Sequence, residues 1–536
     1  MNYKNSLKHI LYPAVIALSI IVGIVTHRYF FQSAPVVQKM SGEPSKIDKL
    51  LRKITIDYVD EVKYDSLQEK AIPQIVENLD PHSSYIPARL KKEVDAPIMG
   101  EFDGIGVQFN IRRDTVMVIQ TIAGGPSEKV GIMGGDRIVK VNDTVIAGVD
   151  ISTREVMKKL KGKRGTKVNV SVKRPGTDEL IDFEIIRDKI PLYSVDISYM
   201  LNNRIGYIKV NKFSRNTYSE FMQGANKLKA KGMKQLIVDL RGNGGGIMEA
   251  AIRMADEFLK AGKLIVYTQG NNRPKREYRA SRQNFLANIE VAVLIDEWSA
   301  SASEIFAGAL QDNDKGVIVG RRSFGKGLVQ EPVYFEDGSE LRLTVARYYT
   351  PTGRSIQKPY KNGDEESYRE DITRRYLNGE FMEEDSIQFA DSLKFTTPGG
   401  KTVYGGGGIM PDVFVPVDTT AGSDFLYDVR RKGLQYSFAY DYTDKNRDRL
   451  KQFEGYQKLE TYLNNQNLLD SFVRFAKKKG IKANPEDLKV SGEMLRTQIT
   501  GLIARNILGD EGFYPIIHEV DTTLKRALEE QIGRAS

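Results

Sequence analysis

Three serines in one predicted turn are the first residues with the potential for chemistry. The apolar run 291–295 predicts a buried strand and 304–310 predicts the start of a helix, so Ser299, Ser301 and Ser303 fall between them. A strand that turns sharply into a helix exposes its turn residues near the helix N-terminus, where N–H groups and the helix dipole favour a developing negative charge. The turn is therefore a place for a nucleophile.

A lysine between two glycines is the second candidate. A strand-like run, 316–320, precedes Lys326, and the flanking glycines let the backbone pack closely around the lysine stem. A lysine packed away from water has a lowered pKa and can act as a general base. The spacing alone leaves two alternatives open, because Ser301 and Glu304 also fit a capping box and Gly-Lys-Gly is also typical of a solvated turn.

The strings around these residues are Ser-Ala-Ser-Ala-Ser-Glu-Ile at 299–305 and Phe-Gly-Lys-Gly at 324–327, followed by Gln330. They resemble the C-terminal processing peptidases, also called tail-specific proteases. The resemblance implies Ser301 as nucleophile, Lys326 as general base and Gln330 as the residue that orients the lysine. Further similar strings lie between 75 and 415: Leu79-Asp80-Pro81-His82-Ser83, Ile205-Gly206-Tyr207-Ile208, Asp239-Leu240-Arg241, Pro351-Thr352-Gly353-Arg354-Ser355-Ile356-Gln357 and Gly406-Gly407-Gly408-Ile409-Met410-Pro411-Asp412.

A glycine-rich loop, 239–246, follows a second predicted buried strand at 236–238. Its glycines allow backbone N–H groups to point at a substrate carbonyl. By resemblance, Gly245 or Gly246 provides part of an oxyanion hole, with the N–H of Ala302 as its partner.

Two positions depart from the family pattern. Gly244 stands where proline is common, and Trp298 stands where a smaller residue is common. Both departures concern the geometry of loops and leave the predicted chemistry unchanged.

Composition argues against other protease chemistries and other classes of protein. The four histidines occupy positions that predict no catalytic role, and the absence of cysteine and of His-Glu-x-x-His excludes thiol and zinc proteases. No phosphate-binding loop is present, so we expect an enzyme that needs no ATP, cofactor or metal. The formal charge of +9 is mild for 536 residues, and no nucleic-acid-binding motif accompanies it.

The N-terminal residues predict a membrane anchor. Lys4 and Lys8 precede an apolar run over 10–25, and no Ala-x-Ala cleavage step follows it. We therefore expect an uncleaved signal anchor in the inner membrane. The lysines place its start in the cytoplasm by the positive-inside rule, so the remainder is expected in the periplasm.

One segment, 101–175, resembles a PDZ domain. Its loop Gly104-Ile105-Gly106-Val107 stands at the position of the carboxylate-binding loop, where successive N–H groups hold a peptide's terminal carboxylate while the peptide adds as a strand. We expect Ile105, Val107, Val156 and Leu160 to line the side-chain pocket, which should prefer an apolar C-terminal residue. In the alternative interpretation these four are ordinary core residues.

A chain of this length is too long for one core. Strands and helices alternate from about 180 to 417, which predicts an α/β core, and the charged stretch 361–391 predicts a surface insertion. The resemblance implies a crotonase-like α/β protease core with an inserted PDZ-like domain, a helical N-terminal arm and a helical C-terminal region. The expected boundaries are a signal anchor over 1–33, a linker over 34–45, the helical arm over 46–95, the PDZ-like domain over 96–178, the peptidase core over 179–418 and the helical region over 419–536.

The predicted function is that of a membrane-anchored periplasmic serine endopeptidase with a Ser-Lys dyad, which recognises apolar C-terminal tails through its PDZ-like domain. The alternative is a membrane-tethered PDZ adaptor with an inactive protease-like domain. The expected partners are protein or peptide substrates with apolar C-termini and the membrane. A second copy of the chain and an adaptor lipoprotein are further candidates.

Overall fold

The computed structural model describes residues 45–282 and 284–535, with side chains up to Gln531. The predicted signal anchor, 1–33, and the linker up to residue 44 lie outside the described residues. No helix within the described ranges is both long and apolar enough to cross a membrane. The chain divides into two compact units between Ala71 and Ile72.

The described part of the first unit is helical. It contains α1 (Lys46–Asp57) and the beginning of α2 (Tyr64–Val76). Ser45 caps α1 by accepting a hydrogen bond from the N–H of Asp48 at 3.2 Å, and Asp48 accepts one from the Tyr64 hydroxyl at 2.9 Å. The second unit begins with the rest of α2, β1 (Ser84–Ile86) and α3 (Ala88–Met99).

A small β domain follows α3. Its main sheet has the order β3-β4-β5-β7-β8, β6 pairs with β5, and β2 pairs with β9 where the chain enters and leaves. The elements are β2 (Glu101–Gly104), β3 (Val107–Arg112), β4 (Thr115–Thr121), α4 (Pro126–Lys129), β5 (Arg137–Val141), β6 (Thr144–Val145), α5 (Thr153–Leu160), β7 (Lys167–Lys173), β8 (Leu180–Ile186) and β9 (Asp188–Pro191). The expected boundary at 178 is wrong, because β8 pairs along its whole length with β7.

The α/β core is built on a six-stranded sheet with the order β10-β11-β12-β15-β16-β21, whose last strand is Val413–Phe414 and in which only the β10–β11 pair is antiparallel. A second sheet has the order β1-β18-β13-β14, with β17 paired to β18. The elements are β10 (Val195–Met200), β11 (Ile205–Val210), α6 (Thr217–Ala230), β12 (Gln235–Asp239), α7 (Met248–Asp256), β13 (Leu264–Gly270), β14 (Arg273–Arg279), β15 (Glu290–Ile295), α8 (Ala302–Asp312), β16 (Gly316–Gly320), β17 (Leu328–Tyr334) and β18 (Glu340–Tyr349).

This topology positions the site. The strands β12 and β15 are adjacent and parallel, and both are almost wholly buried. Since the carboxyl ends of parallel strands meet at one edge of a sheet, the glycine-rich loop after β12 and the serine turn after β15 lie side by side. The predicted α/β multidomain architecture is confirmed.

The stretch 361–391 lies largely at the surface, as its charge predicts, but it also contributes residues to the core. It forms α9 (Glu365–Arg369) and α10 (Asp371–Leu377). Its buried residues, each at most 6% exposed, are Tyr368, Arg375 and Phe381. The charged residues are on the solvent side or paired, as Arg375 is with Glu380 at 3.1 Å. Three short strands follow: β19 (Lys394–Thr396), β20 (Thr402–Tyr404) and β21 (Val413–Phe414).

The C-terminal region is helical, as predicted, and its apolar stripes form one buried cluster that includes Leu459, Leu463, Phe472 and Leu495. Its last helix packs on the α/β core, where Leu524 is buried against the central sheet. The helices are α11 (Asp424–Arg431), α12 (Leu434–Leu450), α13 (Tyr456–Asn464), α14 (Leu468–Lys478), α15 (Pro485–Leu508), α16 (Asp510–Ile517) and α17 (Thr522–Ala535).

Candidate active site

Ser301 occupies a strained turn between β15 and α8. Its backbone has φ 55° and ψ −113°, a conformation that residues with a Cβ rarely adopt and that is typical of functional sites. The neighbouring serines are buried and tied to the glycine-rich loop: the hydroxyl of Ser299 donates to the carbonyl of Leu240 at 2.9 Å, and that of Ser303 donates to the carbonyl of Asn243 at 2.8 Å. Ser299 and Ser303 are therefore structural, and Ser301, which is half-buried, is the candidate nucleophile.

Lys326 and Gln330 are brought together as predicted. The Nζ of Lys326 donates to Oε1 of Gln330 at 3.0 Å. Nε2 of Gln330 donates to the carbonyl of His82, which leaves Oε1 facing the lysine. Burial lowers the pKa of Lys326, and the charges of Asp80 and Glu304 only partly oppose this shift. A lysine with a lowered pKa is suited to accept a proton.

Glu304 joins the two loops that carry Ser301 and Lys326. Its Oε2 accepts hydrogen bonds from the N–H groups of Ser301 at 2.8 Å and Lys326 at 2.9 Å. Its Oε1 accepts from the Ser323 hydroxyl at 2.5 Å and the Gly325 N–H at 2.7 Å. Burial raises the pKa of Glu304 to about 7, although these four donors favour the charged form.

The sequence predicts only half of the role of Glu304. One half of the predicted capping box is present, because the N–H of Ser301 donates to the Glu304 carboxylate. The same carboxylate also accepts from the N–H of Lys326 and so holds the lysine loop. Tyr348, from β18, makes a second connection between the loops. Its buried hydroxyl lies within hydrogen-bonding distance of the carbonyl oxygens of both Ser301, at 3.1 Å, and Lys326.

The glycine-rich loop packs directly against the serine turn. A Cβ on Gly245, which has φ +97°, would lie 2.8 Å from the Cβ of Ser301. The N–H of Gly245 donates to Oδ1 of Asn243 at 2.9 Å, so this predicted oxyanion donor is already engaged. Within residues 45–282 and 284–535, the N–H groups of Gly246 and Ala302 have no acceptor, and they remain the candidate pair of oxyanion donors.

An ion network supports the base of this loop. Arg241 binds Asp521 through two hydrogen bonds of 2.9 and 2.6 Å, and it also binds Asp239 at 2.6 Å. Asp521 accepts a hydrogen bond from the N–H of Leu524 at 2.9 Å and so caps α17. Burial disfavours the charged form of Asp239, but the charges of Arg241 and Lys209 hold its pKa well below the usual range. The C-terminal helix is thus anchored to the glycine-rich loop.

His82 lies beside the site although its position in the sequence predicts no role. Its carbonyl orients Gln330, and its Nε2 lies 2.8 Å from the hydroxyl of Tyr368. Burial and the charge of Lys326 lower the pKa of His82 to about 3, so its ring is neutral. The only sequence signal for this residue is the family-like string 79–83.

The predicted peptide-binding residues are only partly placed as expected. The loop is ordered by main-chain hydrogen bonds from Ser127 to the carbonyl of Ile105 and from Ile122 to that of Gly106, at 3.0 and 2.9 Å. In the described structure β3, which begins at Val107, pairs only with β4, so its outer edge is open to a further strand.

The apolar pocket expected beside this edge is not open. Ile105, Val156 and Leu160 are 2%, 0% and 3% exposed and belong to the core of the domain, and Val107 is half-buried against that core. The alternative interpretation, that these are core residues, therefore describes the structure, and the expected pocket is closed in this state. Gly104 lies in β2, paired with Asp188.

Comparison with known proteins places these features in families. The model of peptidase family S41 matches residues 204–366, that of the PDZ domain matches 104–185, and a family of unknown function, DUF8443, matches 425–509. The carboxy-terminal processing protease CtpA of Bacillus subtilis (strain 168) is 37% identical over 314 residues, which are 58% of this chain and 66% of that protein.

A "Probable CtpA-like serine protease" of Staphylococcus aureus (strain N315) is 34% identical over 352 residues, 64% of this chain and 69% of that protein. Among solved structures, the photosystem II D1 C-terminal processing protease is 26% identical, with coverage of 69% of this chain and 92% of that chain and a TM-score of 0.36. The chain spans about two thirds of the length of the curated relatives it matches.

The fold and the site define a serine peptidase with a PDZ domain. The chain belongs to peptidase family S41, together with the carboxy-terminal processing proteases that it matches. The resemblance inferred from the sequence strings is confirmed.

Proposed function

We propose that the chain is a membrane-anchored endopeptidase that captures the C-terminal tail of a protein and cleaves it with Ser301 and Lys326. The observation that carries this proposal is the pair of connections made by Glu304 and Tyr348, which fix the serine and lysine loops to each other. Catalysis by two groups requires such fixed geometry. The rival function, an inactive adaptor, gives no reason for a buried lysine whose loop is tied to that of a strained serine.

The reaction proceeds through an acyl-enzyme. The Oγ of Ser301 attacks the scissile carbonyl carbon while its proton moves to the neutral Nζ of Lys326. The N–H groups of Gly246 and Ala302 stabilise the resulting oxyanion. The protonated lysine gives its proton to the leaving amine as the C–N bond breaks. Lys326 then takes a proton from a water molecule, which attacks the ester carbonyl carbon. The lysine gives this proton to Oγ of Ser301 as the ester C–O bond breaks and the acid product leaves.

Gln330 keeps the base in place during these steps. Its Oε1 accepts a hydrogen bond from Nζ in both protonation states of the lysine, and the His82 carbonyl prevents the amide from turning over. It is a positioning residue, and its loss should cost less activity than the loss of Lys326.

Tail capture is assigned to the PDZ domain. The open edge of β3 is suited to a peptide in extended conformation, and the ordered loop at Gly104–Val107 is suited to a terminal carboxylate. Because Val156 and Leu160 are buried in the core of the domain, an apolar last side chain reaches them only if the core packing around α5 changes.

The cellular location proposed is the periplasmic face of the inner membrane. It is supported by the sequence of residues 1–33, in which Lys4 and Lys8 precede an apolar run. A reporter enzyme that is active only in the periplasm, fused after residue 45, tests it. Activity of the fusion agrees with the proposal, and inactivity with cytoplasmic accumulation contradicts it.

The catalytic proposal is tested by replacing each serine of the turn. Ser301→Ala should abolish cleavage of an unfolded protein with an apolar tail, because no other hydroxyl of the turn is free to face the lysine. Ser299→Ala and Ser303→Ala are matched controls that should retain most of the activity. The carbonyls of Leu240 and Asn243 keep their main-chain donors, so each loss of a hydroxyl should cost only about 0.5–3 kcal/mol in stability, the larger value where the N–H of Asp296 loses the Ser299 oxygen. Full activity of Ser301→Ala would refute the assignment.

A further inference from the structure

A cavity of about 380 Å³ is lined in part by residues of the loops that carry Ser301 and Lys326. Its apolar and aromatic walls are formed by Trp298, Phe324, Tyr368, Ile372 and the ring of His82, and we call it the aromatic pocket. Pockets that bind small ligands have volumes of about 300–1,000 Å³, so this cavity fits one large side chain.

Two walls of the aromatic pocket belong to the catalytic loops. Trp298 precedes Ser301 by three residues, and Phe324 precedes Lys326 by two. The N–H of Phe324 donates to the carbonyl of Ser299 at 2.9 Å, which locks the two walls together. The pocket thus adjoins the turn that carries Ser301 and the loop that carries Lys326, and a third lining residue, His82, binds Gln330 through its carbonyl.

The third wall comes from the stretch 361–391, which interrupts the family-like strings. The rings of Tyr368 and Phe324 meet edge to face at 5.9 Å, and the Tyr368 hydroxyl lies 2.8 Å from Nε2 of His82. Lys358 holds the helix pair by donating to Asp371 at 2.9 Å. This wall is fixed, and the cavity is a built feature of the site.

The same helices are also bound to the lysine loop. Arg375, which is buried, donates to the carbonyl oxygens of Ser323 at 3.0 Å and Arg322 at 2.7 Å. The charged residues at the rim, Glu365 and Arg369, form an ion pair at 2.5 Å. The interior of the pocket thus carries no unpaired charge, because the imidazole of His82 is neutral.

We propose that the aromatic pocket binds a large apolar side chain, preferably an aromatic one, of the substrate residue next to the scissile bond. This inference rests on the proposed function: the tail selects the substrate, and the pocket selects the bond that is cut. Trp298, which is 55% exposed and stands where the family commonly has a smaller residue, forms the outer wall. An aromatic side chain in the pocket would stack on it.

The test uses the full-length chain in detergent and one peptide with an apolar free C-terminus and a mapped cleavage bond. The residue on each side of that bond is varied between phenylalanine and alanine. Phenylalanine on one side should raise kcat/KM by about tenfold or more, since burying a large apolar side chain stabilises the bound state.

Thr373→Trp then fills the pocket from an exposed position of α10. It should lower kcat/KM for the phenylalanine peptide to about that for the alanine peptide and so remove the preference. Leu377→Trp is the matched control: it makes a tryptophan on the same helix at a site that is 75% exposed and outside the pocket, and it should keep the preference.

If the wild-type chain cleaves the phenylalanine and alanine peptides equally, and Ser301→Ala abolishes both cleavages, the proposed role of the pocket is wrong and the proposed function stands. An unchanged preference in Thr373→Trp would overturn it as well. If the wild-type chain cleaves neither the peptides nor an unfolded protein with an apolar tail, both the proposed function and the proposed role of the pocket are wrong.

Discussion

Glu304→Gln isolates what one buried carboxylate does for the dyad. The substitution keeps the shape of the side chain but replaces one acceptor oxygen with an NH₂ group. The best orientation puts this group near Ser323, whose hydroxyl can turn to accept from it, and keeps the remaining oxygen on the N–H groups of Ser301 and Lys326. The N–H of Gly325 and the O–H of Ser323 then lose their acceptor, at a cost of about 1–3 kcal/mol each in stability.

An electrostatic effect of similar size has the opposite sign above neutral pH. The folded-state pKa of Glu304 is raised by burial from 4.5 to about 7, so the folded protein binds more protons than the unfolded chain between these values and loses stability as pH rises. The shift of about 2.5 pKa units corresponds to about 3 kcal/mol. Glutamine does not ionise. The unfolding free energy of the variant relative to wild type should therefore rise by about 3 kcal/mol between pH 4 and pH 8.

Fluorescence of Trp298, the single tryptophan, reports this unfolding in urea. Activity gives a second readout. Above about pH 7 the charge of Glu304 raises the pKa of Lys326, so its removal should move the rising limb of the kcat/KM–pH profile to lower pH. An unmoved limb together with a pH-independent stability difference would refute the electrostatic reasoning.

Glu304→Ala provides the contrast. It removes the acceptor from the N–H groups of both Ser301 and Lys326, and a loss of position of about 1 Å costs on the order of 100-fold in rate. Glu304→Gln should stay within about tenfold of wild type. Equal activity of the alanine and glutamine variants would show that the carboxylate does not align the two loops.

Three further outcomes are expected. Lys326→Arg keeps the charge but cannot accept a proton, so it should be inactive in peptide cleavage at every pH. Wild-type activity should rise with pH through the lowered pKa of the lysine. A half-active arginine variant would contradict the general-base role. Asp521→Asn should weaken the hydrogen bonds to Arg241, lower the free energy of unfolding by about 1.5–3 kcal/mol and reduce kcat more than it changes KM. Asp470→Asn, at an exposed position, is the control. Unchanged kcat in Asp521→Asn would show that α17 does not support the glycine-rich loop. Amidation of a substrate's C-terminus should raise its KM about tenfold or more by removing the carboxylate from Gly104–Val107, and identical kinetics of the amide and the free acid would show that the PDZ domain does not read tails.

The sequence predicts those parts of the site that depend on neighbouring residues. A run of five apolar residues before the serines gives β15, and the helical spacing after them gives α8, so the turn at Ser301 follows from short-range pattern alone. The roles of Lys326 and Gln330 came from resemblance. Strand alternation does not predict their contact, because Lys326 lies two residues before β17 and the register of β17 shifts between Val329 and Gln330.

The supporting contacts could not be predicted, because they join residues far apart in the chain. Tyr348 binds the carbonyl of Ser301 across 47 positions, and Arg241 binds Asp521 across 280. The composition of 361–391 predicts solvent exposure, yet its buried Arg375 is satisfied by main-chain carbonyls. The side-chain pocket of the PDZ domain could not be predicted for a different reason. Apolar residues that line a groove and apolar residues that fill a core have the same sequence pattern.

Several supporting contacts of the site are made to main-chain atoms, and this explains why the residue types in the sequence do not reveal them. Gln330 is oriented by the carbonyl of His82, an acceptor that every residue type supplies, so the imidazole is not needed for the dyad. What the imidazole adds is a neutral ring hydrogen-bonded to Tyr368 at the aromatic pocket. The same residue thus serves catalysis through its backbone and substrate selection through its side chain. It follows that substitutions of His82 should change which bond is cut before they change whether the dyad works.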